Sequence, residues 1–394
     1  MAIYVVQPGD SIDTIANRFF VDVSEIIYDN QLIYPYELAL GQALFIGENG
    51  SQGEQSQRTE QQAGEVSNDR LNLRVNGYAY PFISEWVLEQ TLPYLTELSI
   101  FSYGFSNEGY LVPPAISENW MIELAHSYGT IPVLTLTPLG PDGRFNNTLI
   151  SSVVNDAQKT ERLIEEILLT MQRLGYGGLD IDFEFILKED RDAFTSFVAL
   201  CAERLHAANP YYRVSVALAP KTSATQEGLL YEGKDYAGLG TVADSVLLMT
   251  YEWGYTYGPP MAVAPINKVR EVVTYAITEI SANKIYLGIP NYGYDWPLPF
   301  VAGTTRARTL GNIEAVRIAV NEGAIIQFDE IAQSPYFRYE REGIEHEVWF
   351  EDVRSMQAKF DLIKEFNLLG AGSWNVMQLF RANWLLLNQN FIIV

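Results

Sequence analysis

Three carboxylates stand two residues apart in one short stretch of this chain, Gly177-Gly178-Leu179-Asp180-Ile181-Asp182-Phe183-Glu184-Phe185. Successive side chains on a strand point to opposite faces. Asp180, Asp182 and Glu184 therefore share one face, and Leu179, Ile181, Phe183 and Phe185 share the other. The apolar face calls for a cover of helices, which turns the acids inward. Buried carboxylates must shift their pKa, share a proton or find donors. Like charges this close push their pKa values apart, which suits a proton donor and its helpers. A purely structural cluster would need basic partners, and the neighbouring chain offers only Lys188 and Arg191, past the strand end. A solvated edge strand or a metal cluster are the other readings of the pattern.

The elements that must hold these acids follow from the alternation of the chain after residue 70. Strand-like runs cover Leu73–Tyr80, Glu97–Phe105, Ile131–Thr137, Gly178–Phe185, Tyr212–Ala219, Ser245–Tyr251, Lys284–Tyr292 and Leu368–Val376. Helix-like stretches such as Asp156–Leu174 and Asp190–Ala208 lie between them. Strands alternating with helices imply parallel pairing with both faces covered. Eight such units predict an α/β fold, a (β/α)8 TIM barrel, with Glu184 near the C-terminal rim where barrel active sites lie. Between the seventh and eighth strands, Ile325–Asp329 and Tyr336–Phe350 alternate around a turn at Glu342-Gly343. They predict a small β-rich (α+β) insertion at about 297–350, standing on the active face. The catalytic barrel spans 70–394.

Ahead of it, residues 49–69 are nearly all Gly, Ser, Gln, Glu and Asn, a composition that cannot be buried and predicts a flexible linker. Residues 1–48 predict a β-α-α-β unit. Ile3–Gln7 and Leu38–Ile46 are its strands, and Asp10 or Ser11 caps a helix through Ile15 and Ala16.

The formal net charge of −23 disfavours nucleic acid and anionic membrane surfaces as partners. The lone Cys201 permits no internal disulfide and reads as a buried helix residue. His126, His206 and His346 are far apart with no cysteines beside them, so no metal site and no cofactor are expected. The start Met1-Ala2-Ile3-Tyr4-Val5-Val6 has no basic n-region, so no secretory signal and no membrane-spanning run are expected.

Two resemblances rest on these residues. Tyr4-Val5-Val6-Gln7-Pro8-Gly9-Asp10-Ser11, with Ile15-Ala16, Asn30 and Leu38-x-x-Gly41-Gln42-x-Leu44-x-Ile46, resembles a LysM domain. The resemblance implies binding of N-acetylglucosamine-containing glycan between the Gly9–Ile12 turn and the Gln31–Leu38 loop, with Gly9, Asp10, Ser11, Ile12 and Leu32 as contacts. Taken singly, Gly9, Asp10 and Gly41 also read as turn and cap residues.

Gly178-x-Asp180-x-Asp182-x-Glu184 resembles the signature of glycoside hydrolase family 18, although Gly177 stands where the family usually has another Asp. The resemblance implies a retaining, substrate-assisted reaction, an exception to the two-carboxylate scheme. Glu184 would be acid and then base, Asp182 would orient the substrate acetamide and stabilise the oxazolinium-like charge, and Asp180 would share a proton or hydrogen bond with Asp182. It also implies that Tyr251 holds the acetamide carbonyl and Trp374 stacks under the reacting sugar. Glu252 stands where the family commonly has Asp. Tyr78, Trp253 and Tyr292 are further substrate-binding candidates at strand ends.

The strings 219–226, 249–255, 292–296 and 346–352 resemble the bacterial spore-germination, cortex-lytic N-acetylglucosaminidases. That subgroup implies a peptidoglycan substrate and a place in the outer layers of the spore without a signal peptide. A chitinase-like enzyme and a non-catalytic glycan-binding coat protein are the alternatives. The sequence does not specify an oligomeric state.

Overall fold

The computed structural model describes residues 2–47, 70–139 and 144–394. The expected linker at 49–69 lies outside the described residues.

Eight parallel strands, Leu71–Ala79, Glu97–Phe105, Ile131–Leu136, Gly178–Ile181, Arg213–Leu218, Ser245–Leu248, Ile285–Pro290 and Gly370–Trp374, pair in sequence order. The eighth pairs back onto the first, Gly370 opposite Arg74, and closes the barrel. Between the strands run helices whose stops are written locally. Asp156 caps Ala157–Leu174 by accepting from the amides of Gln158 and Lys159, and Gly175 ends it at φ +87°, a left-handed turn that glycine adopts without steric cost. Its buried residues Leu163, Ile164, Ile167 and Met171 form the stripe that covers the sheet. Cys201 is buried in the helix Arg191–Ala208.

The fourth strand departs from expectation at its end. Its ladder stops at Ile181, four residues early. The alternation survives two residues longer, because the Asp182 amide still donates to Leu136 and the Phe183 ring is fully buried against Phe194 and Phe197. Phe185 does not join the helix-facing side. It is 37% exposed, and its ring meets Phe145.

The insertion is a five-stranded antiparallel sheet in the order Arg308–Leu310, Gly293–Pro297, Ile344–Trp349, Ser334–Arg341, Gln327–Asp329, with the helix Asn312–Asn321 beside it. Its first strand begins at Gly293, four residues ahead of the expected start. A Cβ on Gly293 would lie 2.4 Å from the Trp349 carbonyl oxygen, so only glycine permits this crossing.

The N-terminal unit pairs Ala2–Val5 antiparallel with Ala43–Ile46 around the helices Ile12–Phe19 and Val23–Asp29. It has its own core of Val6, Ile12, Ile15, Ala16, Ile26, Leu44 and Ile46. It is also seated on the rest of the chain. Ala39 joins the insertion core with Ile326 and Phe337, and Phe45 joins the barrel core. The Ile326 amide donates to Leu40 at 2.8 Å, and the Arg381 guanidinium lies 4.0 Å from the centre of the Tyr28 ring. At Gly41, φ +80°, a Cβ would sit 1.9 Å from the Ile326 oxygen.

Candidate active site

The inward face of the fourth strand meets polar partners from its neighbours. Asp180, fully buried, accepts from the Tyr78 hydroxyl at 2.9 Å and the Ser215 hydroxyl at 2.6 Å. Tyr78 comes from the first strand and Ser215 from the fifth, so closure of the barrel is what brings both donors to one carboxylate. Burial pushes Asp180 up to about 6 against the lowering effect of these bonds. Asp182 is 6% exposed, and its Oδ1 has no hydrogen-bond partner among the described residues. Burial, then the charges of Glu184 and Asp180, hold it well above the usual carboxylate range. Glu184 is also raised by burial, with Lys234 pulling it down and Glu252 pushing it up. An acid pair of this kind holds a proton at pH values where an exposed carboxyl has lost it.

A cleft of about 330 Å3 opens over these groups. Asp182, Glu184, Tyr251 and Glu252 supply its polar wall, and Trp374, Tyr78, Tyr80 and Phe101 line it with rings. The Trp374 ring centre lies 5.0 Å from Phe101, 5.7 Å from Tyr78 and 6.1 Å from Tyr80. Aromatic edges thus fix the Trp374 face as an apolar floor, the surface that a pyranose ring covers. Glu252, at φ +68°, accepts from the hydroxyls of Tyr292 and Tyr294.

Several residues sit elsewhere than expected. Trp253 is not in the cleft wall; it packs against the barrel core, and its amide donates to Val263. Tyr292 stands behind Glu252 rather than in the wall. On the N-terminal unit, a groove runs between Asp10–Asp13 and Pro35–Leu38. Ser11 and Ile12 line it. Ser11 also caps its helix, and Asp10 Oδ2 accepts from Tyr4 and the Gln7 amide. Gly9 and Leu32 are not among the lining residues. Gly9 forms the preceding turn at φ +87°, and Leu32 faces the junction with the barrel beside Val316 and Phe380.

The cation missing from the sequence argument is Lys234. It is fully buried, and its Nζ donates to the carbonyls of Phe183 and Ala217. Lys188 instead pairs with Glu232, and Arg191 with Asp235. The charge balance of three inward acids already demanded a partner; looking only at adjacent chain hid one fifty residues away. Among the described residues, no three His, Cys, Asp or Glu side chains are grouped to hold a metal ion, and no helix is long and apolar enough to cross a membrane.

An acid pair beside an aromatic floor at the C-terminal rim of a barrel is the equipment of a carbohydrate-cleaving enzyme, and the comparisons with known proteins show that class. Residues 140–378 match the glycosyl hydrolases family 18, and residues 4–47 match the LysM domain. The chain belongs to glycosyl hydrolase family 18 and carries a LysM domain at its N-terminal end. It is 38% identical to the cortical fragment-lytic enzyme of Bacillus subtilis (strain 168), over 100% of this chain and 99% of that protein. The crystal structure of the Bacillus cereus spore cortex-lytic enzyme SleL superposes with a TM-score of 0.91 at 32% identity, covering 100% of this chain and 99% of that one. The Bacillus megaterium QM B1551 spore cortex-lytic enzyme SleL gives 0.90 at 34%, covering 100% and 98%.

Proposed function

We propose that this glycosidase cleaves β-1,4 bonds at N-acetylglucosamine in spore-cortex peptidoglycan or its fragments. The observation that carries the substrate is the extent of the likeness to cortical fragment-lytic proteins, which runs through the LysM domain and the barrel alike. The raised acid pair over an aromatic floor supports a retaining, substrate-assisted route. Glu184 donates its proton to the glycosidic oxygen as that bond breaks. The substrate's own acetamide oxygen closes on the anomeric carbon. Asp182 holds the acetamide N–H and balances the oxazolinium charge, while Asp180 anchors Asp182's strand, and Tyr251 holds the acetamide oxygen end. Water, deprotonated by Glu184, then opens the ring and restores the configuration. A LysM groove and a family 18 cleft on one chain suit glycan in the outer layers of the spore, where this reading puts the protein.

The test compares wild type with Glu184→Gln on purified cortex peptidoglycan and on chitin oligomers, with products read by mass and reducing end. Fragments ending in reducing N-acetylglucosamine from cortex, absent with the variant, support the reading. Turnover of chitin alone replaces it with a chitinase-like activity. Binding without cleavage of either polymer replaces it with a glycan-binding role.

A further inference from the structure

The backbone that carries the acid is not held by the barrel ladder. That ladder ends at Ile181, the Asp182 amide makes one last bond to Leu136, and residues 183–186 need other partners. A three-residue piece of the loop after the fifth strand lies along this segment in reverse order, and one of its side chains bonds to the segment's backbone. Glu232 pairs with Lys188 at 3.1 Å. Gly233 lies flush on Ile186, so that a Cβ there would come within 2.3 Å of the Ile186 oxygen. The Lys234 ammonium donates to the carbonyl of Phe183, the residue between Asp182 and Glu184, and to Ala217 on the fifth strand at 3.0 Å. Behind it, Lys221 Nζ donates to the Lys234 carbonyl at 3.1 Å, and the Tyr236 hydroxyl donates to Ala219, which ties this loop to the end of the fifth strand.

Among the described residues, no carboxylate lies within bonding distance of Lys234. Its charge is balanced through space by Asp182, Glu184 and Asp180, the groups facing it from the fourth strand, while the Phe194 ring covers it from the helix side. Burial pulls it down to about 8 against the pull of these three acids. A buried ammonium is costly, and an apolar side chain of similar length would fill the space more cheaply. The charge therefore has work to do at the acids.

We propose that Lys234 is a positioning residue for glycoside cleavage: it clamps the Phe183 carbonyl, between Asp182 and Glu184, and supplies the internal positive charge that faces both acids. The inference rests on the function proposed above. Lys234 does not line the cleft, so it acts through the acids and not on the sugar.

Removing the charge raises the pKa of Glu184, so the alkaline limb of the rate profile moves to higher pH. Losing the clamp lowers kcat. In the full chain, Lys234→Met is expected to lower kcat by ~10-fold or more with KM changed by less than about twofold, the pattern of an interaction made in the transition state. Lys234→Gln keeps a donor and loses the charge, so its kcat should fall less while its limb shifts as far. A folded Lys234→Met with wild-type kcat and limbs overturns the proposal. A second measurement needs no substrate and no Lys234 variant. Lysine Cε resonances, followed against pH in 13C-labelled wild type and Glu184→Gln, should show the Lys234 titration moving to lower pH when the Glu184 charge is gone. An unmoved titration overturns the proposal even if both Lys234 variants fail to fold. Absence of glycan cleavage by wild type with a shifted Lys234 titration would instead count against the proposed substrate alone.

Discussion

Asp180 and Asp182 sit two residues apart on one strand face yet live in different surroundings. Asp180 is satisfied by two hydroxyls, whereas Asp182 keeps a buried oxygen with no hydrogen-bond partner among the described residues. A buried acceptor left without a donor is costly, which fits a carboxyl held in its protonated form. Glu184→Gln should cost ~10²–10⁴-fold in kcat, the usual worth of a positioned proton donor, while leaving glycan binding intact in a pull-down with insoluble peptidoglycan. Glu252→Gln tests the electrostatics in the opposite sense to Lys234. Glu252 raises the pKa of Glu184, so removing its charge lets Glu184 deprotonate earlier. The alkaline limb of kcat/KM should then move to lower pH, and a limb that stays put would show that Glu252 acts only through shape. The inward acids, Tyr251 and Trp374 were legible because strand alternation and strand-end position are local properties of the chain. Trp253 and Leu32 lie outside the linings of the two clefts, a placement that depends on what the rest of the fold brings to that face. Lys234 was invisible for the same reason.

At the scale of elements, the eight strands were readable to within a few residues, since each carries an apolar run between turn signals. Their ends were not, because a ladder stops where the neighbouring strand stops. The fourth strand shows this, and so does the insertion, which starts as soon as Gly293 lets the chain cross Trp349. The seventh strand has a comparable point at Gly288. A Cβ there would lie 2.2 Å from the Leu248 oxygen and 3.0 Å from the Tyr251 ring. Gly288→Ala must part the sixth and seventh strands or push Tyr251 out of place. A loss of about 1–3 kcal/mol is expected from such overpacking, read as a lower unfolding midpoint in denaturant. A lower kcat should accompany it, because Tyr251 lines the cleft. An unchanged midpoint would mean that the strands separate at no cost.

For the whole molecule, composition and an intervening polar stretch suggested two independent bodies. The seat at Gly41 and the sharing of Ala39 and Phe45 with the larger cores bind them into one. That docking was illegible because it depends on surface complementarity between segments some three hundred residues apart. Gly41→Val puts a branched side chain against Ile326 at a left-handed φ. It should lower the thermal midpoint, with kcat on short soluble oligosaccharides nearly unchanged. A midpoint equal to wild type would show that the seat carries no stability. The same seat constrains how a polymer can be worked. A module hung on a free tether lets a cutter graze over many bonds around one anchor point. A module bolted in place behaves like a jig: on the function proposed above, a glycan strand held by the LysM domain would meet the barrel in one fixed orientation, and each new cut would require the grip to be released and taken again.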